Sequence, residues 1–157
     1  MAVRDDFSAG EVLAAADLND TFAAKGDIST NGAWTFYTPG TINLTVGNGS
    51  LTGEYVKVGK LVHGRVELTF GTTTSFSGQV VINTPTTPSG SISGTGLAQE
   101  TGVQGLPVRF DTLGGGMYVR ALGASSTYVN NVGVTATVPF TWANTDVLYL
   151  EFWYEEA

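Results

Sequence analysis

The sequence contains no cysteine. That absence removes disulfides, thiolate nucleophiles, zinc–thiolate sites and iron–sulfur clusters together. Histidine occurs once, as His63, so a zinc site built from several imidazoles is excluded as well. Charge is scarce: 13% of the 157 residues are Asp, Glu, Lys or Arg, about half the usual share of roughly 25%. What charge there is leans acidic, with 14 Asp+Glu against 7 Lys+Arg and a formal net charge of −7. Phosphate contacts need clustered Lys and Arg, so these figures argue against a nucleic-acid binder and against attachment to an anionic membrane surface. No apolar run approaches the length of about 18 residues that a spanning helix needs, and no membrane insertion is expected. The opening Met1-Ala2-Val3-Arg4-Asp5-Asp6 carries no apolar signal segment, so no secretory leader is expected.

The catalytic templates are missing too. No Ser sits in a Gly-x-Ser-x-Gly elbow, and Ser91-Ile92-Ser93-Gly94 reads as a loop. His63 falls mid-strand on a polar face beside Arg65 and Glu67 and reads as a cross-strand surface or interface residue. Glu54, Glu67, Glu100, Asp111, Asp146 and Glu151 could meet across strands as a glycosidase-type pair, but nothing in the pattern selects two of them. No Asp-x-Asp-x-Asp-Gly loop offers a calcium site. Gly114-Gly115-Gly116 is followed by no Gly-Lys-Ser/Thr and opens no helix, so it reads as a turn rather than a phosphate cradle. The expectation is a chain with no catalytic, metal or cofactor-binding residues.

What is present is Gly, Ser and Thr, together 53 of 157 residues. Disorder needs low hydrophobicity or high charge, and this chain is 42% hydrophobic and 11% aromatic. β-Branched Thr favours strands and Gly punctuates turns, so the mixture describes a β-domain with many turns. Eight of the 21 charged residues lie within residues 1–27, whereas Ile28–Gly53, Leu68–Gln99 and Ala121–Thr145 carry none. This shift divides the chain into an arm, 1–27, and a body, 28–157.

The arm carries a helix pattern. Ser8 and Glu11 have capping-box spacing, Ala14-Ala15-Ala16 have high propensity, Leu18 and Phe22 share a face, and Gly26 ends the run. Such a short helix is marginal alone in water, so its Leu18/Phe22 stripe needs a partner. From Trp34 the period becomes two. Leu51–Val58 and Leu61–Phe70 read as a hairpin joined by Gly59-Lys60, with Val62, Val66, Leu68 and Phe70 on one face of the second strand. Further strands are expected at Val80–Asn83, Gly96–Glu100, Pro107–Asp111, Met117–Leu122, Thr127–Asn130 and Val147–Glu155. Short strands at this spacing predict an all-β, jelly-roll-like β-sandwich behind a short N-terminal α-helical arm.

The last strand is apolar on both faces. Leu148, Leu150 and Phe152 form one, and Val147, Tyr149 and Trp153 the other. A second apolar face calls for a cover, either a neighbouring subunit or the N-terminal helix. Leu18, Phe22, Val147, Tyr149 and Trp153 are therefore the candidate assembly or attachment residues. Trp34, Phe36, Tyr37, Tyr118, Tyr128 and Trp142 fall near turns or strand ends. They read either as core or as a surface for stacking sugars or contacting protein.

Two segments carry a resemblance. Phe7-Ser8-Ala9-Gly10-Glu11-Val12-Leu13-Ala14-Ala15-Ala16-Asp17-Leu18-Asn19 resembles the Phe-x-Ala-Gly-Glu-x-Leu-x-Ala-x-Asp-Leu-Asn opening of bacteriophage tail-fibre and minor tail proteins. Gly47–Gly71, with Tyr55 and the Gly59-Lys60 turn as its most recognisable parts, is similar to a second recurring segment of the same proteins. The resemblance covers some 40 residues. It implies a non-enzymatic virion structural protein: a homotrimer with a β-sandwich head, an N-terminal attachment element, other virion proteins as partners and a host cell-surface glycan as a possible target. The short arm favours a tail-associated head of minor tail or receptor-binding type over a long fibre. The alternative is a capsid decoration or head-fibre protein.

Overall fold

A computed structural model describes residues 32–113, 115–124 and 129–157. Among these residues ten strands follow in chain order: β1 Thr35–Tyr37, β2 Thr41–Thr45, β3 Ser50–Val58, β4 Leu61–Thr69, β5 Ser75–Asn83, β6 Ser93–Glu100, β7 Gln104–Leu113, β8 Gly116–Ala124, β9 Val129–Gly133 and β10 Val147–Glu155. The expected arm helix, with Leu18 and Phe22, lies outside the described residues, as does Tyr128. The all-β expectation holds for the described residues. The hairpin β3–β4 and the strand β10 fall where the sequence pattern puts them. β5, β6, β7 and β8 extend beyond their expected apolar centres, because backbone pairing continues through Ser, Gly and Gln positions that carry no apolar signal. β1 and β2 had no expected counterparts, being three and five residues long.

All pairings are antiparallel, and they run in one continuous path, β1-β3-β4-β10-β6-β7-β8-β5-β2, with β9 beside β8. Laid flat, eight strand-to-strand steps would put β1 and β2 about 38 Å apart. Yet only Thr38-Pro39-Gly40 joins them, and the four steps from Tyr37 to Thr41 reach about 14 Å at most. The sheet must therefore curl until its first and last strands approach. A hydrogen bond crosses the resulting seam: Tyr37 Oη of β1 donates to Asn83 O at the end of β5, 3.4 Å away. The same Asn83 extends the β2–β5 ladder, its N donating to Gly40 O at 2.8 Å. Beside it, Asn48 and Thr73 exchange bonds between the β2–β3 and β4–β5 loops, each 2.9 Å.

The core fills the concave face. Val62, Val66 and Leu68 of β4, Val80 and Ile82 of β5, Phe110 of β7, Met117 and Val119 of β8, and Leu148, Leu150 and Phe152 of β10 are buried. Gly64 interrupts the inward row of β4 for a steric reason. It lies directly opposite Phe152, and a Cβ there would sit 2.3 Å from the ring. Gly94 stands in the same relation to Phe110 across β6 and β7. Each glycine lets a large ring lie over its backbone.

One buried carboxylate sets the entry to β10. Asp146 accepts from Ala143 N at 2.7 Å and Thr101 N at 2.9 Å through its two side-chain oxygens. Its carbonyl accepts from Phe70 N, and Thr145 N donates to Phe70 O, both at 2.8 Å. Thr145 is held at φ +75°, an unfavourable value for a β-branched residue. Together these contacts place Val147 opposite Thr69 and so fix which β10 residues face outward.

Candidate functional site

On the convex side, the hairpin β3–β4 fixes the first part of the site. Its two-residue turn, with Gly59 at φ +61°, pairs Val58 with Leu61, and every later pair follows: Val56 with His63, Glu54 with Arg65, Thr52 with Glu67. The strand period sends His63, Arg65 and Glu67 outward because Val62, Val66 and Leu68 go inward. β10 then adds Trp153 beside His63, Glu151 beside Arg65 and Tyr149 beside Glu67. β6 closes the far side with Thr95 and Leu97. At the near edge, β1 brings Phe36 opposite Glu54, and Trp34 lies just before it.

The outward residues of β4, β6 and β10 up to Glu151, with Glu54, Phe36 and Trp34, bound a groove, and Trp153 lies just beyond its lining. The groove has a volume of about 650 Å³, within the usual range for small-ligand sites. Its walls are aromatic and aliphatic: Trp34, Phe36, Tyr149 and Leu97. Its floor is charged: Glu54, Arg65, Glu67 and Glu151. The polar groups bind one another. Arg65 Nε donates to Glu54 Oε1, and its guanidinium carbon sits 4.8 Å from the Trp34 ring centroid, a cation–π contact. His63 Nε2 lies 2.9 Å from Glu151 Oε1. The His63 ring stacks on Trp153 at 3.6 Å and 3°, and meets Trp34 edge-on at 5.3 Å. His63 is thus the pivot between two tryptophans, with its side chain only 18% exposed.

The aromatics remain accessible. Trp34 is 41% exposed, Phe36 79%, Tyr149 38% and Trp153 56%. Large apolar groups left this open mark a contact surface when they gather in one place. Aromatic faces beside carboxylate and guanidinium groups can stack the apolar face of a sugar ring and bond its hydroxyls. The floor suits a pair of catalytic carboxylates less well. Glu54 and Glu151 sit on the two strands that flank Arg65, and each is already engaged, Glu54 by Arg65 Nε and Glu151 by His63 Nε2.

Of the candidate attachment residues, the structure brings Tyr149 and Trp153 into or against this site. Val147 is half-buried on the same face, opposite Thr69 and Gln99. Leu18 and Phe22 lie outside the described residues. Among the turn-associated aromatics, Trp142 and Tyr37 pack on the core. Trp142 stacks on Phe70 at 4.8 Å, and burial, with Tyr154 nearby, raises the Tyr37 hydroxyl well above the usual tyrosine range. Tyr118 is half-buried on the outer face of β8, while Trp34 and Phe36 belong to the groove. Leu97 was missed, since a lone Leu in a Gly/Thr-rich strand gives no signal for an outward position.

Comparison with protein-family models, with curated proteins and with solved structures finds no match to this chain.

Proposed function

We propose that this protein is a non-enzymatic structural component of a bacteriophage virion. It is tail-associated, of the minor tail or receptor-binding type, and uses the convex groove to hold a host cell-surface glycan. The observation that carries the glycan reading is the gathering of Trp34, Phe36 and Tyr149 around a charged floor, with Trp153 stacked alongside on His63. The virion reading rests on the Phe7–Asn19 and Gly47–Gly71 segments. The finer architecture belongs to the same proposal: a jelly-roll-like sandwich made by flattening the curled sheet, with a helical arm in front of it. Leu18 and Phe22 on that arm join three copies. Tyr149 and Trp153 are then free for ligand, and three grooves give avidity for a repeated sugar.

Three measurements test it. Immunogold electron microscopy of the parent particle should place the chain at the tail, and gold spread over the head would favour capsid decoration instead. A glycan array probed with the full chain should give binding that Trp153→Ala and Tyr149→Ala abolish while the circular dichroism stays unchanged. Binding that survives both substitutions would remove the groove from the proposal. Light scattering should report a trimer, and a clean monomer at micromolar concentration would remove the avidity argument.

A further inference from the structure

One cross-strand row runs the width of the convex face: Glu54, Arg65, Glu151, Thr95, Arg109 and Arg120, on β3, β4, β10, β6, β7 and β8. Its first three members alternate in sign. Its last two do not, because Arg109 and Arg120 are directly opposite each other in the β7–β8 pairing. Like charges in that position destabilise a sheet. The carboxylate that relieves them is Asp111, shared by both. Arg109 Nη2 donates to Asp111 Oδ1 at 3.0 Å, and Arg120 Nε lies 3.0 Å from Asp111 Oδ2. That second approach is outside hydrogen-bonding geometry, and Nε of each arginine has no hydrogen-bond partner among the described residues.

Two guanidinium groups bring about ten N–H donors to a carboxylate with about four acceptor sites. One positive charge and most of the donors are left over, and both arginines remain partly open to solvent, 41% and 34% by side chain. We infer that the Arg109–Arg120 pair is a binding site for one carboxylate group of a ligand, held by the exposed edges of the two guanidiniums. Charge selects the carboxylate. A monoanion balances the cluster, whereas sulfate or a phosphate dianion would leave excess negative charge against Asp111. The planar fork of arginine also matches carboxylate geometry. The inference rests on β7 and β8 and stands apart from the aromatic groove. The shared row joins the two through Thr95, so an acidic sugar could engage both.

The test uses the full chain and follows the Nε–Hε signals of its arginines by ¹H–¹⁵N NMR. Glucuronate and acetate are titrated at constant ionic strength, with glucose, sodium chloride and sodium sulfate as controls. Saturable shifts of the Arg109 and Arg120 signals by acetate and glucuronate are expected, with Arg65 unmoved by acetate. Shifts from glucuronate alone would assign the carboxylate to a sugar. Arg109→Gln and Arg120→Gln should each weaken binding at least about tenfold, as loss of a charge-assisted bond implies. Asp111→Asn removes the competing carboxylate and should tighten binding several-fold, a gain that misfolding cannot imitate. No saturable shift, an equal response to glucose, chloride or sulfate, or weaker binding by Asp111→Asn would overturn the site. Because acetate cannot stack in the groove, failure here leaves the glycan reading standing, and failure of the glycan array leaves this site standing.

Discussion

Gly64→Ala should damage this fold more than any change of one methyl group on the surface. The new Cβ would lie 2.3 and 2.4 Å from Cζ and Cε2 of Phe152, and 3.1 Å from Glu54 O. Non-bonded carbons rest about 3.5–4.0 Å apart, so the ring must retreat by more than about 1 Å. Phe152 is fully buried in the core, where close packing leaves no void to receive it. Overpacking of this kind costs about 1–3 kcal/mol, and two clashing ring atoms place it in the upper half. Alanine also narrows the unfolded ensemble relative to glycine, which offsets about 0.4–1 kcal/mol. The expected net loss is about 1.5–2 kcal/mol. Urea unfolding should show a lower midpoint at unchanged m-value, and the melting temperature should fall by about 3–8 °C for a chain of this size. Phe152→Leu shortens the obstructing ring. In the double variant the two losses should fall short of additivity by about 1 kcal/mol or more, as contacting residues do. Stability within about 0.5 kcal/mol of the parent for Gly64→Ala, or strict additivity in the cycle, would refute the steric account.

Three other changes probe different parts of the molecule. Asp146→Ala leaves the Ala143 and Thr101 amides without their acceptor and should cost about 2–4 kcal/mol in urea, with hydrogen exchange faster first in β10; a loss under 1 kcal/mol would show that water replaces the carboxylate. Trp153→Ala should change stability by less than about 1 kcal/mol, because the ring faces outward, and a loss above about 2 kcal/mol would make the His63 stack part of the core. Glu156 has its carboxyl held below the usual range, first by its hydrogen bond to Lys57. Its contribution is therefore present above the ordinary glutamate pKa and is lost as pH falls through the lower folded value. Amide protection factors (exchange relative to the intrinsic rate at each pH) at Ser89 and Ala157, which bond to Glu155 O and Thr87 O beside it, should fall across that acid window. Glu156→Gln should abolish that fall in protection, and protection that still drops with acid in the variant would assign the effect elsewhere.

Period-two alternation and one glycine turn sufficed to determine the β3–β4 hairpin and its outward set His63, Arg65 and Glu67, because both rules are local. A two-residue turn sets every pair behind it, so the Glu54–Arg65 contact was already implicit in the sequence. The two-faced apolarity of β10 was equally legible, with Val147, Tyr149 and Trp153 as its outer set. What lay beside β10 was not, since its partners are some 80 residues away on β4 and some 50 away on β6. That register depends on the buried Asp146 turn, whose aspartate looks in the sequence like any surface acid. The strands β1 and β2 were silent for a related reason. At three and five residues they have too few alternations to register, and they exist because the curling sheet brings its ends within reach of Thr38-Pro39-Gly40. The groove and the Arg109–Arg120 pair are products of that long-range pairing. Composition determined that this chain would be a sheet with a sparse set of charges. Only the tertiary structure decided which of those charges stand side by side, because cross-strand neighbours are set by closure and register rather than by adjacency in the chain.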